Sequence, residues 1–405
     1  MPSSTSRTIA SDALLAERTK RAVALAFAVN GLLLGSLLSR TPAIKAQLDF
    51  SATELGFLLV TMSVGAMVAL PTSGAVVHRE GPGHTVLGAA VAETAGLLVS
   101  AAGLTLGSPV ITGLGLTVAG FGNSMWDVAM NVEAADVDRR LGRTVMPRFH
   151  AGWSLGSVMG AGLGVLCAAE QVTVTWQLIV TAALALAMVI VAVRRFSEVE
   201  PSAEVTKTLR SWELVAQAWR DRRTLLVGLM VLTFAFTEGV ANDWLAVTLV
   251  DSLGETETVG ALAFGTFVVA MTLSRLVGGG TIDRFGRVAV LRGTAVIAAL
   301  GAALVILGPE LPWVFAGALL WGFGAALGFP TGMSAAADDH TRAAVHVSVV
   351  GSIGYTAFLA GPPLVGVLGD QVGIRNALFL VLPALAVAFA AAPAANPSSE
   401  IHSQT

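Results

Sequence analysis

Charge is what this chain has least of. Its 405 residues include 24 lysines and arginines and 27 aspartates and glutamates, 13% in all, against 54% apolar residues. A soluble domain carries about 25% charged residues. So few charges cannot cover a water-facing surface, and the chain reads as a membrane protein. A single cysteine, Cys167, excludes internal disulfides and cysteine metal clusters; it reads as a small core residue. The six histidines keep no metal-ligand spacing with Cys167 or with the carboxylates, so no metal and no cofactor is expected. No Gly-Lys-Ser phosphate loop is present, which argues against direct drive by ATP. A net charge of −3 with scattered basic residues offers nothing to nucleic acid. A signal peptide is not evident either. The charged stretch Arg18-Thr19-Lys20-Arg21 runs into an apolar segment too long for one, with no small-residue cleavage site.

What is abundant is apolar sequence in runs of bilayer length. A spanning helix needs about 20 apolar residues. Twelve spans are predicted, over 22–43, 54–77, 84–104, 109–136, 147–168, 173–194, 224–250, 257–280, 288–308, 313–337, 343–368 and 373–392. The one long charged connection, 195–223, divides them into two sets of six. The expected organisation is a polar, disordered 1–20, a six-helix bundle over 21–194, a central loop over 195–223, a second bundle over 224–393 and a disordered tail over 394–405. With the N-terminus inside, 20 of the 24 basic residues fall on inner segments; Arg40, Lys45 and Arg375 fall outside and Arg275 lies within span eight. That bias places both termini and the central loop in the cytoplasm, the chain being a multi-pass protein of the cell (inner) membrane.

The two sets are related. Gly120-Phe121-Gly122 in span four is followed by Asp136, and Gly322-Phe323-Gly324 in span ten by Asp338; each Asp follows the first Gly by sixteen residues. After span two, Gly74 precedes His78-Arg79-x-Gly81. After span eight, Gly279 precedes Asp283-Arg284-x-Gly286-Arg287. The offsets between the copies are 202 and 205 residues, nearly the same register. Two related six-helix halves place a substrate site between them, near the bilayer midplane.

These residues resemble the major facilitator superfamily of secondary transporters. The family's signature, G-x-x-x-D-R-x-G-R, is complete from Gly279 through Asp283, Arg284 and Gly286 to Arg287. In the first half His78 stands for the acid and Pro82 for the last Arg. Gly361-Pro362-Pro363 in span eleven is similar to the family's Gly-Pro bend. Span four resembles the fucose-permease branch, which carries a carboxylate four residues before an Asn, as Asp127 stands before Asn131. The branch's acid in span one, four before a Pro, is here Leu38, before Pro42. The resemblance implies an all-α membrane protein of twelve transmembrane helices in two pseudo-symmetric six-helix bundles, with spans one, four, seven and ten lining a central cavity.

Buried polar residues mark the candidate site. Asp127 lies inside span four, where a carboxylate costs about 2.5–3.5 kcal/mol on insertion scales, so it is expected to face the protein interior. Asn123, Asp127 and Asn131 are spaced i, i+4, i+8 and form one stripe; the bland alternative is helix packing through interhelical hydrogen bonds. Span seven repeats the device with Glu238 and Asn242, followed by Asp243 and Trp244. Asp127, with Glu238 second, is the candidate for carrying a coupling proton. Asp243 could line the cavity or form an outer ion pair with Arg40, and Arg40 could instead clamp a substrate. Asn30, mid-span in helix one, suits a substrate contact or an interhelical hydrogen bond. Trp126 and Trp244 offer ring faces to a hydroxyl-bearing ligand or pack as walls. Glu93 in span three reads by default as a contact to a neighbouring helix.

The resemblance also implies an inner gate. Asp283 would sit against the helix that starts near Pro147, favoured by its unpaired N–H groups. Arg287 is expected to pair with Asp136, and Arg79 with Asp338. The expected function is secondary active transport of a small polar or sugar-like solute by alternating access, as proton-coupled symport, with protons, the solute and the bilayer as partners and the chain acting as a monomer. Proton-antiport export of drugs or metabolites is the alternative. A non-transporting sensor or a membrane-embedded enzyme is more remote, since no output domain and no nucleophile–base pair is seen.

Overall fold

The computed structural model describes residues 4–141, 145–196, 212–339 and 342–396. Among these residues every regular element is a helix. In lipid a backbone must satisfy its own polar groups, and helices do so within one segment. The first half holds α1 (Ser4–Leu38), the short α2 (Thr41–Gln47), α3 (Ala52–Thr105), α4 (Pro109–Leu141), α5 (Met146–Ala169) and α6 (Val174–Val193). The central loop contributes α7 (Trp212–Ala218). The second half holds α8 (Arg222–Val247), α9 (Glu257–Phe285), α10 (Arg287–Leu307), α11 (Leu311–Ala325), α12 (Gly328–Ala336), α13 (Ala343–Val372), α14 (Ile374–Ala377) and α15 (Val381–Ala391).

Ten helical stretches among the described residues are long and apolar enough to cross a membrane. One of them, α3, has 54 residues and is two spans joined at Gly81. The helix α4, at 33 residues, is long enough as well; its glycines and Asn123 and Asp127 dilute its apolar stretch. With α3 counted twice and α4 added, the spans are twelve, in two six-helix bundles.

The break at Gly81 has φ 78°, ψ 158°, and Gly286 between α9 and α10 has φ 79°, ψ 156°. Only glycine occupies that region readily. The first motif copy has lost its acid and its last Arg, yet keeps the glycine that this turn demands.

The chain forms two compact units, residues 1–50 with 58–201, and 51–57 with 202–405. In the first, α1 and α5 run against each other along small residues. A Cβ on Gly31 would strike the Trp153 carbonyl, one on Gly156 the Ala28 carbonyl, and one on Gly160 the Leu32 carbonyl. Helix α4 lies in the fold of α3: Gly120 abuts Met62 on the first arm, and Gly122 abuts Ala89 and Glu93 on the second. The second unit repeats this. Gly322 of α11 abuts Phe267 on α9, and Gly324 abuts Thr294 and Ala298 on α10. The Gly-Phe-Gly repeat is therefore a packing device that wedges one span between two others. The residues 51–57 at the start of α3 belong to the second unit. There Asp370 accepts from the N–H groups of Ala52 and Thr53, each at 2.9 Å.

Two expectations change. The stretch 1–20, read as disordered, is helical from Ser4, because α1 runs back through it without a break. In the central loop α7 is ordered, with Ala218 packed on Val345 and Val349. The remainder of that loop, 197–211, and the tail 397–405 lie outside the described residues.

Candidate functional site

In the first unit the stripe on α4 is present and its polar groups are held locally. Asn131 donates from Nδ2 to the Asp127 carbonyl at 2.8 Å and to Asp127 Oδ1 at 3.3 Å. That is the side chain's one hydrogen bond among the described residues, and no ion pair reaches it. One turn earlier, Asn123 donates from Nδ2 to Glu93 Oε1 at 3.2 Å, joining α4 to the second arm of α3. Asn30 is buried, and its Oδ1 accepts from Trp153 Nε1 at 2.9 Å while its Nδ2 has no partner among the described residues. It therefore ties α1 to α5 and keeps one donor to spare.

In the second unit Glu238 on α8 is not alone. Arg275 on α9 donates from Nη2 to Glu238 Oε1 at 3.2 Å, and the pair is partly accessible, 28% for Arg275 and 14% for Glu238. Asn242 and Asp243 follow on α8 and are half-buried; among the described residues Asp243 has no hydrogen-bond partner. Arg275 is a residue that sequence reasoning missed as a partner. The signal was available: it is a basic residue inside predicted span eight, 257–280.

The structure separates the readings open for three residues. Trp126 and Trp244 are fully buried, and among the described residues their Nε1 groups find no acceptor. Each lies one residue from its acid, so it points about 100° away round the helix. When the acid faces the accessible side, the ring is turned into the core. Arg40, expected as a clamp or as a partner of Asp243, is 4% exposed. Its Nη1 donates to Gln177 Oε1 at 2.8 Å and its Nη2 to the Val172 carbonyl at 3.0 Å, while Gln177 donates back to Ser36. The guanidinium locks the α1–α6 corner.

The inner-gate pairs are also different partners. Arg287 grips Asp338 with Nη1 at 2.8 and 2.9 Å and reaches Ser334 with Nη2. Arg223 adds Nη2 to Asp338 Oδ2 at 2.7 Å. Asp136 instead takes Arg139 and Arg140 from its own helix, and Arg79 takes its neighbour Glu80. The repeat explains why. Arg287 and Pro82 are 205 residues apart, and Asp338 and Asp136 are 202 apart. The first half has a proline where the second has the arginine, so Asp136 must find its cations on α4. Asp283 and Arg284 are exposed at the end of α9, with the Arg284 guanidinium over the Phe285 ring. Gly279 faces open space.

Among the described residues no group of three or more His, Cys, Asp and Glu side chains is placed to hold a metal.

Apolar helices in two repeated six-helix units, with half-buried carboxylates and carboxamides within the spans, define a multi-pass membrane protein. A family model described as Major Facilitator Superfamily matches residues 23–246 and 227–400. The chain belongs to that superfamily, whose members bind small-molecule substrates within a membrane. An uncharacterised transporter of Sinorhizobium fredii, y4wD, is 33% identical over 366 residues, covering 89% of this chain and 94% of that one. Membrane protein MosC of Rhizobium meliloti is 27% identical over 370 residues, covering 90% and 87%. Among solved structures, a mutant of the nucleoside transporter NupG matches with a TM-score of 0.77 at 15% identity, covering 94% of this chain and 99% of that one. A mutant of the E. coli fucose:proton symporter FucP matches with a TM-score of 0.63 at 15% identity, covering 92% and 98%.

Proposed function

We propose that this transporter moves a small polar, sugar-like solute across the inner membrane by alternating access, as a proton symporter, with Asp127 carrying the coupling proton. The observation that carries the reading is the state of Asp127. It is a half-buried carboxyl within α4 with a single neutral hydrogen-bond partner, Asn131 on its own helix, and no described cation. Such a group can exchange a proton without first breaking an ion pair. Glu238 is the second candidate, and its proton exchange competes with Arg275. Two structural relatives, a nucleoside transporter and a fucose:proton symporter, support a hydroxyl-rich solute. The half-buried Asn123, Asn242 and Asp243, with the spare donor of Asn30, supply groups of the right kind for hydroxyls. The basic residues on inner segments support cytoplasmic termini, and the chain is proposed to act as a monomer.

The test is reconstitution into liposomes with an internal pH indicator, screened against monosaccharides and nucleosides. Wild type should move protons with solute. Asp127→Asn should keep solute exchange and lose accumulation against a gradient. Unchanged proton-coupled accumulation in that variant overturns the assignment. The direction of the proton flux separates symport from antiport.

A further inference from the structure

The second half of this protein is an internal control for the first. Gly122 sits where a Cβ would come 2.5 Å from the Glu93 nitrogen and 2.6 Å from the Ala89 carbonyl. Gly324 stands in the same way against Ala298 and Thr294. Glu93 and Ala298 are 205 residues apart, and Asn123 and Ala325 are 202 apart, the offsets of the two motif pairs. Both alanines are fully buried. The places of Glu93 and Asn123 in the first half thus correspond to two buried alanines in the second. Packing at this place needs neither a carboxyl nor a carboxamide.

The polar pair is moreover incomplete. Glu93 is 2% exposed; its Oε1 accepts from Asn123 Nδ2, and its Oε2 is buried with no partner among the described residues. Nothing described nearby balances a negative charge. On α4 the ionisable group next to Asn123 is Asp127, one turn further along. Helix α6, which α3 touches where the Thr94 hydroxyl meets the Ala182 carbonyl, has no ionisable side chain. On the second arm of α3 the nearest is His84, nine residues away, or about 13 Å along the helix. A buried group left with an unused polar atom is costly, so a carboxyl kept where alanine suffices points to use rather than packing.

We propose that Glu93 is a second proton site of the first half, linked to Asp127 through the Asn123 stripe. The carboxyl holds its proton on the buried Oε2 side. Asn123 is one helical turn, about 6 Å, from Asp127, so Asp127 is the ionisable group of α4 next to the Glu93–Asn123 pair. The proposal rests on the proton-coupled reading above and extends it.

The test uses the full chain in liposomes, with Glu93→Gln and the double variant Glu93→Ala/Asn123→Ala. The double variant sets the two alanines of the second half at these places and should fold and melt as wild type does. Infrared spectra at neutral pH should show the carbonyl stretch of a neutral carboxyl in wild type and in Asp127→Asn, and its loss in Glu93→Gln. Transport should keep solute exchange in Glu93→Gln, with pH-driven accumulation at least tenfold down. An unchanged infrared band in Glu93→Gln, or accumulation equal to wild type in either variant, overturns the proposal. Failure of the underlying reading looks different: wild type itself would move solute without protons while the carboxyl band stayed assigned to Glu93, and the link to Asp127 would fall with it.

Discussion

The Glu238–Arg275 pair should behave as one energetic unit, and a double-mutant cycle measures this. At 3.2 Å two unit charges attract by about 5 kcal/mol for an effective dielectric of about 20. Most of that is offset by taking both groups out of water. What remains is a charge-assisted hydrogen bond worth about 1.5–3 kcal/mol, and exposures of 28% and 14% favour the lower end. Arg275→Met leaves the Glu238 carboxylate without its one described partner and should cost about 3 kcal/mol. Glu238→Gln alone should cost less, since an amide can still accept from the guanidinium. The double variant should recover part of the loss. Arg275 has further interactions, so the single-variant loss is not the energy of the pair; the coupling term is. Equilibrium unfolding in mixed micelles should give a coupling of at least about 1 kcal/mol. Losses that add to within about 0.5 kcal/mol would refute the pairing and return Glu238 to the status of a lone acid.

Other outcomes follow from the packing and the caps. Gly156→Ala should part α1 from α5 at the Ala28 carbonyl and cost about 1–3 kcal/mol, while Gly162→Ala, with nothing within 4 Å, should leave the melting temperature unchanged. Equal behaviour of the two would discredit the small-residue contact. Arg40→Met should lower stability by about 1–3 kcal/mol by stranding Gln177 Oε1 and the Val172 carbonyl, with KM for solute unchanged; a raised KM at wild-type stability would make it a substrate clamp instead. Asp221 precedes α8, outside the span. Burial acts to raise its carboxyl, but the Thr224 hydroxyl and N–H, at 2.6 and 2.7 Å, with His346 and Arg223 nearby, hold it below the usual carboxylate range. A depressed carboxyl stabilises the fold above its unfolded pKa and loses that contribution as pH falls through the folded value. Asp221→Ala should therefore cost about 1 kcal/mol at neutral pH and next to nothing in strong acid; the same loss at both would contradict the cap. Asp338→Asn should release Arg223 and Arg287 together and raise proteolysis near residue 396, whereas Asp136→Asn should not.

Most of the candidate site was visible as chemistry before it was visible as geometry. Asp127, Asn131 and Asn123 declared themselves by helical spacing in a run without charge, and the stripe is there. Their partners did not. Glu93 bonds Asn123 from 30 residues away, and Arg275 meets Glu238 across 37. Those separations are set by how spans cross, which no local pattern records. The gate illustrates the limit from the other side. The repeat was read correctly, yet its charges were paired across the halves. Arg287 and Asp338 in fact meet within one half, as their register in the repeat already allowed. Of the two readings open for Trp126 and Trp244, wall packing fits their burial, because an acid that faces the accessible side turns its neighbour inward.

By itself the sequence determined that this chain lies in lipid and crosses it in two related sets of six helices. Those features follow from apolar run length and from backbone groups that must bond internally, both of them properties of short segments. Only the tertiary structure decided which acid has a cation, which has an amide and which has nothing. That depends on the rotation of each helix and on the few ångströms by which glycines let neighbouring spans approach, and both are fixed by the packing of distant segments.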